Sequence, residues 1–428
     1  MKKHYLILFF VSLSFSGFSQ SIFNNDEDQT GDSMWTTANN WNTNVVPDAT
    51  VGYLQINQNV ILNIPVTHKW IRGGNGTVTI SGSGSITISD SNTDISGGMQ
   101  GNSTSFNINV PVIFDSDGIK NIFLGGNNRE IIFNSSVTCN SVTSVVAADP
   151  SRFVQFNGAQ SGSEVLRFTS NSGGEFSATS DNSNLVAGLQ VADGCNVVSN
   201  STTAGGFLGD NSGASKFQVN GDGSTLTLNG SDIFQGYINI GGDMENYSFT
   251  LNVNENQPNI GSIRFSNAAS TGVLNLNIAT SVTEVSFDDS SSFDIANINI
   301  IGFEPGEIRF GTDNAGLTST QLSNITADGV ATGVEVALDP NGYLVLASSL
   351  GLNDEILNKK TRISYPTTVD DIINFTSGQS NVQFFDITGK IVLTSNASEV
   401  ESLDLSFLTA GIYVIKYDNK HVERIIKK

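Results

Sequence analysis

Short runs of alternating apolar and polar residues, separated by Asn, Ser, Gly and Thr, fill the chain from Val60 to about Leu346. Examples are Ser85-Ile-Thr-Ile, Ser224-Thr-Leu-Thr-Leu and Val273-Leu-Asn-Leu-Asn-Ile. A period of two residues is the pattern of a β-strand that buries one face. No stretch keeps the 3.6-residue period of a helix beyond about one turn. We therefore expect an all-β body.

The spacing of these strands leaves two architectures. In the clearest stretch the apolar centres are about 10 to 13 residues apart, and they fall near Leu251, Ile263, Leu274, Val285, Ile295 and Ile308. A β-sandwich needs hairpin turns, but Asn-Gly or Asp-Gly pairs between two strands are few. A parallel β-helix adds core turn by turn and accepts Asn and Ser at its corners. Because the chain has 8 prolines and 14% charged residues, we predict a right-handed parallel β-helix, or solenoid, over residues 20–350.

The amino-terminal residues have the organisation of an export signal. Two lysines precede an apolar run over residues 5–13, and small residues follow at Gly17 and Ser19. The run is too short to span a membrane. We therefore predict a signal peptide at residues 1–19, Gln20 as the first residue of the mature protein, and no transmembrane segment.

The last residues of the chain combine several motifs in a defined order. Alternating blocks begin at Ile363 and include Asp386-Ile-Thr-Gly-Lys390, Leu408-Thr-Ala-Gly-Ile-Tyr413 and a basic end. In this order they resemble the C-terminal (type A) sorting domain of the Bacteroidetes type IX secretion system, although that family usually has Tyr-Pro-Asn-Pro where this chain has Tyr365-Pro-Thr-Thr368. The resemblance implies a small antiparallel β-sandwich at residues 365–428, after a linker at 351–364. Its sorting-signal residues would be Asp386, Gly389, Lys390, Leu408, Gly411, Tyr413, Lys427 and Lys428.

This resemblance also implies a route and a partner. The chain would leave the cytoplasm by Sec export, cross the periplasm and be handled by the type IX secretion machinery. It would then be a secreted protein or lie on the outer-membrane surface. The residues leave open whether the mature protein is anchored or released.

Two segments of the body resemble the ends of autotransporter-like β-strand repeats in bacterial surface proteins. Trp35-Thr-Thr-Ala-Asn-Asn-Trp41 is similar to the opening of such repeats, and Ile308-Arg-Phe-Gly-Thr-Asp with Asn341-Gly-Tyr-Leu-Val is similar to their closing segment. The resemblance implies one repeat body between residues 35 and 347. We expect the two tryptophans to cover the first turn, since repeat stacks need atypical terminal caps. Sugar stacking is the alternative role for them.

Charge is distributed unevenly along the chain. Residues 21–350 contain 31 acidic and 9 basic side chains, a net charge of −22, whereas residues 351–428 contain 10 acidic and 9 basic ones, a net of −1. Such an acidic body repels nucleic-acid phosphates, so we expect no nucleic-acid partner. Cys139 and Cys195 are the two cysteines. In an exported protein they permit either one disulfide or two buried thiols.

Residue types that carry catalysis are scarce. Of the three histidines only His68 lies in the body, and we interpret it as a surface or corner residue without a partner nucleophile. Glycoside hydrolysis needs two carboxyls about 5 to 9.5 Å apart. The candidate pairs are Asp115 with Asp117, Asp288 with Asp289, and Glu304 with Glu307. The His-containing and Arg-x-Lys motifs of polygalacturonase-type enzymes do not accompany these pairs, so we assign no catalytic residue.

Bases and calcium ligands are equally sparse. A polysaccharide lyase needs Lys or Arg to take the proton next to a uronate. Arg264 and Arg309 both stand in Ile-Arg-Phe, and we expect them at similar positions of the repeat. Oxygen-rich loops at Asn220-Gly-Asp-Gly-Ser and at Asp26-Glu-Asp28 with Asp32 would permit at most weak Ca2+ binding. No cofactor or specific metal site is predicted.

The sequence thus favours a non-enzymatic β-solenoid that is secreted or displayed at the cell surface, as an adhesin-like or structural element. Extracellular glycans or neighbouring cells are its expected partners. Two alternatives stay open: a β-helix polysaccharide lyase or glycoside hydrolase, and a spacer that displays another domain. A cleft that joins an acidic pair with a basic residue, or with Trp70 and Arg72, would favour the enzyme.

Overall fold

The computed structural model describes residues 20–24, 32–89, 97–101, 105–115, 118–125, 130–147, 152–169, 171–209, 216–241, 247–266, 272–295, 297–327, 336–347, 364–365, 368–379, 381–395, 400–417 and 421–428. The chain divides into two compact units, with the boundary between Leu344 and Val345. The predicted signal peptide and residues 351–363 of the predicted linker lie outside the described residues.

Short strands recur along the chain as far as residue 346. The first of them are β1 (Gln20–Phe23), β2 (Tyr53–Ile56), β3 (Val60–Ile61), β4 (Val66–His68), β5 (Trp70–Gly73), β6 (Thr77–Ser81), β7 (Ile86–Ile88), β8 (Gly98–Gly101), β9 (Ser105–Ile108), β10 (Val112–Phe114), β11 (Lys120–Leu124), β12 (Glu130–Phe133), β13 (Val137–Cys139), β14 (Thr143–Ala147), β15 (Phe153–Phe156), β16 (Gln160–Gly162), β17 (Leu166–Phe168), β18 (Gly173–Phe176) and β19 (Asn184–Leu185). The next elements are β20 (Leu189–Val191), β21 (Asn196–Ser199), β22 (Lys216–Val219), β23 (Ser224–Leu228), β24 (Tyr237–Ile240), β25 (Ser248–Val253), β26 (Gln257–Ile260), β27 (Ile263–Phe265), β28 (Val273–Ile278), β29 (Val285–Phe287), β30 (Asn297–Ile301), β31 (Ile308–Phe310), helix α1 (Ser319–Ser323), β32 (Ile325–Ala327), β33 (Val336–Leu338) and β34 (Leu344–Leu346).

These strands stack into three faces of a solenoid. Within the described residues, face 1 is an 11-stranded sheet that runs from β1 through β2, β5, β8 and β11 to β27, and face 2 is a 12-stranded sheet that runs from β3 to β32. Face 3 comprises a six-stranded sheet from β4 to β19 and, farther along the chain, the three-stranded sheet β26-β29-β31. The strands within each face are parallel. The predicted parallel β-solenoid is confirmed, and the β-sandwich alternative for the body is wrong.

Register shows how long one turn is. Positions 120, 143, 166 and 189 of face 1 are aligned in successive strands, so these turns are 23 residues apart. The spacing of about 10 to 13 residues between apolar centres in the sequence is instead the distance between strands on neighbouring faces. For example, Ile263 lies in face 1 and Leu274 lies in face 2.

Identical side chains stack on one another from turn to turn. Inside face 2, the rings of Phe133 and Phe156 are stacked with centroids 5.4 Å apart. At the corner that follows face 2, Asn134 Nδ2 donates to Asn109 Oδ1 at 2.7 Å and Asn157 Nδ2 donates to Asn134 Oδ1 at 2.6 Å. The frequent Asn residues of the sequence thus satisfy one another's amides at the corners, which a stack of equal turns permits.

The two ends of the solenoid differ in structure, with buried tryptophans at the first end and the short helix α1 near the second. Trp35 and Trp41 are fully buried, and Trp41 Nε1 donates to the carbonyl oxygen of Trp35 at 2.8 Å. Both tryptophans are packed inside this end of the solenoid, and their burial leaves no ring face for a sugar. Toward the other end, α1 is joined to the preceding turn, because Gln321 Nε2 donates to the carbonyl oxygens of Ser290 and Phe293 at 3.0 and 2.7 Å.

The two cysteines are free and buried. Cys139 ends β13, whereas Cys195 precedes β21. Burial raises the pKa of the Cys139 thiol to about 12, so this thiol stays protonated and unreactive. Of the two alternatives that the sequence left open, the structure has the pair of buried thiols.

The second unit contains β35 (Ser364–Tyr365), β36 (Thr368–Val369), β37 (Ile372–Gln379), β38 (Val382–Phe385), β39 (Ile391–Ser395), β40 (Val400–Asp404), β41 (Gly411–Tyr417) and β42 (His421–Lys427). In the part of it that the structure describes, the strands form a sheet β35-β37-β40 and a sheet β36-β42-β41-β38-β39. Both sheets contribute to one apolar core, with Phe375 from the first and Ile415 from the second. The strands pair antiparallel, except that β36 is parallel to β42.

Candidate functional site

A polar cleft of about 510 Å3 lies beside the three-stranded sheet of face 3. Its polar lining includes Asn259, Ser286, Asp288, Asp289, Arg309 and Asp313. Strands β26, β29 and β31 supply the first, second and fifth of these side chains, and the aspartates follow β29 and β31. The cleft therefore joins one predicted carboxylate pair with an arginine, which is the arrangement expected of the enzyme alternative.

The arginine of this cleft is held by a short chain of contacts. Arg309 Nε donates to Ser286 Oγ at 3.2 Å, and Ser286 Oγ in turn donates to Glu284 Oε1 at 3.1 Å. The guanidinium carbon of Arg309 lies 5.7 Å from the centre of the Tyr343 ring, within the range of a cation–π contact. These contacts fix the orientation of Arg309 from two sides.

The carboxylates of the cleft cap turns of the backbone. Asp289 Oδ1 accepts a hydrogen bond from Ser291 N at 2.8 Å, and Asp313 Oδ1 accepts one from Ala315 N at 2.8 Å. Both are Asx turns, in which an Asp side chain bonds the backbone two residues on. Gly311, at a φ of +67°, turns the chain after β31 and starts the loop that carries Asp313. Each of these two aspartates therefore has a structural role.

The lining of the cleft is polar, but two of its carboxylates are engaged by the backbone. A glycosidase keeps one carboxyl protonated as the acid and leaves the other exposed as a nucleophile or base. Here Asp289 and Asp313 each hold a loop by one oxygen. Among the described residues, no group of three or more His, Cys, Asp or Glu side chains is arranged for a metal ion.

The described carboxylates of the other two predicted pairs, Asp115, Glu304 and Glu307, do not line this cleft. Asp115 follows β10, and Asp117 lies outside the described residues. Glu304 and Glu307 belong to the turn before β31, where Glu307 N donates to Glu304 O at 3.3 Å and Glu307 is buried. Among the predicted pairs whose two members the structure describes, the cleft therefore contains Asp288 with Asp289 and not Glu304 with Glu307.

Trp70 and Arg72 lie on face 1, on β5, and they do not line the cleft. We expected Arg264 and Arg309 at similar positions of the repeat, but they lie on different faces of the solenoid. Arg264 lies in β27 on face 1 and Arg309 lies in β31 on face 3. The shared Ile-Arg-Phe pattern reflects only that both arginines point outward from the middle of a three-residue strand.

His68 is not a surface residue, contrary to the interpretation from sequence. It is 1% exposed, and its ring lies 5.7 Å from that of Trp35. Nδ1 of His68 is buried and, within the described residues, has no hydrogen-bond partner. Burial lowers the pKa of His68 to about 4. The histidine is therefore a neutral core residue beneath the cap.

Two of the candidate calcium ligands that the structure describes, Asp32 and Asp222, accept hydrogen bonds from the backbone. Asp32 accepts hydrogen bonds from Met34 N at 3.0 Å, Thr37 Oγ1 at 2.6 Å and Asn40 Nδ2 at 2.8 Å, and these bonds lower its pKa. Asp222 Oδ1 accepts one from Ser248 N at 2.6 Å. The remaining acidic residues of the first loop, at 26–28, lie outside the described residues.

The predicted sorting-signal residues lie at turns and strand ends of the second unit. Asp386 Oδ1 accepts from Thr388 N and Lys390 N at 2.9 and 3.0 Å, and Gly389 has a φ of +82°. Leu408 packs against the core, and Tyr413 OH donates to the carbonyl oxygen of Thr409 at 2.8 Å.

The remaining residues of the predicted signal lie where β41 and β42 pair. Gly411 in β41 is opposite Lys427 in β42. Lys427 Nζ lies 3.4 Å from Asp371 Oδ1, and Lys428 N donates to the carbonyl oxygen of Val369 at 2.9 Å.

Among the helices in the described part of the chain, none has the length and the apolar composition of a membrane-spanning segment.

Sequence reasoning did not find Asn259 or Asp313 as residues of the cleft. Asp313 stands in the segment that resembles the end of a repeat, and no pattern links it to Asp288, 25 positions earlier. The aligned Ser286 and Arg309 would have shown the link once the length of a turn was known.

Comparison with known proteins gives one match. Residues 364–428 match the family described as the secretion system C-terminal sorting domain. Searches of the curated proteins and of the solved structures found no match. Residues 364–428, within the second unit, are therefore a secretion system C-terminal sorting domain, which supports assignment of the chain as a cargo of the type IX secretion system.

Proposed function

We propose that this secreted β-solenoid is a non-enzymatic, adhesin-like protein that contacts extracellular glycans or neighbouring cells. The observation that carries the proposal is a row of small polar side chains on the outside of face 2. Its aligned members are Thr225, Thr250, Asn275, Asn299 and Thr326. They are partly or fully exposed, and neighbouring strands repeat at about 4.8 Å. A regular, uncharged row of this kind suits many weak contacts made at once.

A second row next to it has the same character. Asn252 Nδ2 donates to Thr227 Oγ1 at 3.1 Å, and Asn277 Nδ2 donates to Asn252 Oδ1 at 2.8 Å. The side chains are therefore held in fixed positions before any partner binds. Pre-ordered groups lose less conformational entropy on binding than mobile ones, so weak contacts of this type can add up.

A polysaccharide lyase or glycoside hydrolase remains the second candidate. The specific observation in its favour is the cleft that joins Asp288 and Asp289 with Arg309. Against it, Asp289 caps a turn and Arg309 is fixed by Ser286 and Tyr343. These roles explain the charged residues without chemistry.

The two candidate functions predict different effects of Asp→Asn changes in the cleft. We expect the double variant Asp288→Asn, Asp289→Asn to bind cells and immobilised glycans like the parent, since Asn can still accept the hydrogen bond from Ser291 N. Neither protein should release reducing ends or unsaturated uronates from algal and plant polysaccharides. Removing a catalytic carboxylate would instead cost on the order of several kcal/mol in the transition state.

Asp181→Asn is the matched control, because Asp181 Oδ1 accepts from Ser183 N at 3.0 Å in an Asx turn elsewhere on the solenoid. Polysaccharide cleavage by the parent and the control, but not by the double variant, would establish the enzyme and reject the adhesin.

A further inference from the structure

We propose that Tyr53, Trp70 and Arg72 form a carbohydrate-binding surface on face 1, whose ligand is a pyranose chain that carries carboxylate groups. We call these three residues the aromatic surface. Its biological role rests on the proposed adhesive function, but its ligand chemistry follows from its own geometry.

The two rings of the aromatic surface are neighbours across adjacent strands. Tyr53 in β2 is in register with Trp70 in β5, so their backbones are about 4.8 Å apart. Both side chains are partly exposed, whereas the next residues, Leu54 and Ile71, are fully buried. Because side chains alternate along a strand, both aromatic side chains are on the outward face of the sheet.

A glycine on the following strand leaves room for the larger ring. Gly98 in β8 is in register with Trp70, and a Cβ added to Gly98 would lie 2.9 Å from Trp70 Cζ3 and 2.1 Å from the carbonyl oxygen of Asn121. The indole therefore extends over the backbone of β8. A ring supported from below in this way presents apolar area on a flat sheet, which suits the C–H face of a pyranose.

Arg72 supplies the polar part of the site. It lies two positions after Trp70 on the same strand, so it shares the outward face. Arg72 Nη1 lies 3.1 Å from Tyr53 OH, to which it donates a hydrogen bond. Burial raises the pKa of Tyr53, so its phenol is neutral at neutral pH and Arg72 is the cationic group of the surface.

The surroundings of the Arg72 guanidinium differ from those of Arg264, another arginine that the structure describes near aromatic rings on the outside of face 1. Arg264 lies between Tyr237 and Phe293, with its guanidinium carbon 3.9 and 4.2 Å from the two ring centres. Arg72 is partly exposed, and its contact with an aromatic residue is to the hydroxyl of Tyr53 rather than to a ring face. Because a guanidinium pairs with carboxylates in a planar, bidentate fashion, a uronate is the favoured sugar.

Intrinsic fluorescence can test the proposal on the full secreted protein. Of its three tryptophans, Trp35 and Trp41 are fully buried and Trp70 is partly exposed. Titration with oligogalacturonate should change the emission saturably, and cello-oligosaccharide should do so more weakly. Calorimetry should show that Trp70→Ala weakens oligogalacturonate binding about tenfold or more. Arg72→Gln should remove the preference for oligogalacturonate and leave the weaker binding of cello-oligosaccharide.

Tyr237→Ala is the matched control, since Tyr237 is an outward aromatic residue of the same sheet whose ring Arg264 already covers. It should bind both sugars like the parent.

The proposal is overturned if the parent binds neither sugar, or if Trp70→Ala and Arg72→Gln both bind like the parent. Equal affinity of the parent for the two sugars would overturn the carboxylate preference alone. Adhesion of cells to a Trp70→Ala protein that binds no sugar would leave the adhesive function standing, whereas polysaccharide cleavage by the parent would reject that function without affecting the aromatic surface.

Discussion

At the scale of single residues, His68 is a buried imidazole whose pKa is lowered by burial, in contact with Trp35. As the one histidine of the body, without a partner nucleophile, His68 is interpreted from sequence as a surface or corner residue. Yet it is two positions after Val66 in β4, and both side chains point inward. The alternation that predicted the strands therefore already contained the correct answer. The cleft is different, because Asp313 comes close to Asp288 only through the packing of two loops.

The buried His68 makes stability depend on pH. Its pKa is about 4 in the folded protein, against an ordinary value of 6.5, so between these values the unfolded chain binds a proton that the folded protein does not. Stability should thus be unaffected above about pH 6.5 and should fall as the pH drops toward 4, by up to about 3 kcal/mol. Denaturant unfolding at pH 7 and pH 4.5 measures this loss.

His68→Gln is the comparison for this prediction, since Gln is of similar size and does not titrate. The difference in unfolding free energy between pH 7 and pH 4.5 should be smaller in the variant than in the parent. An identical pH dependence in both proteins would show that other groups cause it.

At the scale of the elements, the sequence predicts strands and corners but not register. The alternating runs and the corner asparagines, such as Asn134, are local features and can be identified without a structure. The length of a turn cannot be identified without a structure, because loops of different lengths separate the strands of successive turns. Even so, the three turns from position 120 to 189 keep 23 residues each. A search for that period in the middle of the chain would have aligned these strands.

Close approach of neighbouring turns should make Gly162 intolerant of a side chain. Its φ is +123°, and an added Cβ would lie 2.2 Å from the carbonyl oxygen of Cys139 in the preceding turn. Gly118 also has a positive φ, +69°, but no atom lies within 4 Å of its added Cβ. Gly118→Ala should therefore cost about 1 kcal/mol from backbone strain alone. Gly162→Ala should cost about 2 kcal/mol more.

Thermal and denaturant unfolding of the two glycine variants provide the measurement, and circular dichroism checks that each still folds. A Gly162→Ala protein as stable as the Gly118→Ala protein would mean that the turns can separate at this corner without loss.

At the scale of the whole molecule, the two units were predictable for different reasons. The solenoid follows from one strand pattern repeated over some 300 residues, whereas the sorting domain follows from a few motifs in a defined order. The structure explains several of those motif residues as parts of the fold, such as the turn held by Asp386 and the pairing of Gly411 with Lys427. Neither kind of pattern contains information about the cleft, whose residues come from strands about 50 positions apart.

Export should depend on a folded sorting domain. Deleting residues 411–428 removes β41 and β42, which lie between β36 and β38 in the described five-stranded sheet. It also removes Ile415 and Ile425 from the core. We expect the truncated protein to accumulate in the periplasm with its solenoid folded, because the solenoid has a core of its own. Cell fractionation and protease resistance of the periplasmic protein measure the two parts of this outcome.

Two substitutions in one strand separate loss of the fold from loss of chain length. Ile415 is fully buried in β41, whereas Ile412 in the same strand is 43% exposed. Ile415→Asp places a carboxylate in the apolar core, which costs several kcal/mol in a domain of this size. It should therefore block export as the deletion does. Ile412→Asp should be exported like the parent, because its carboxylate remains in water. Secretion of the Ile415→Asp protein at the parental level would show that the machinery reads the motif residues without requiring the sandwich that holds them.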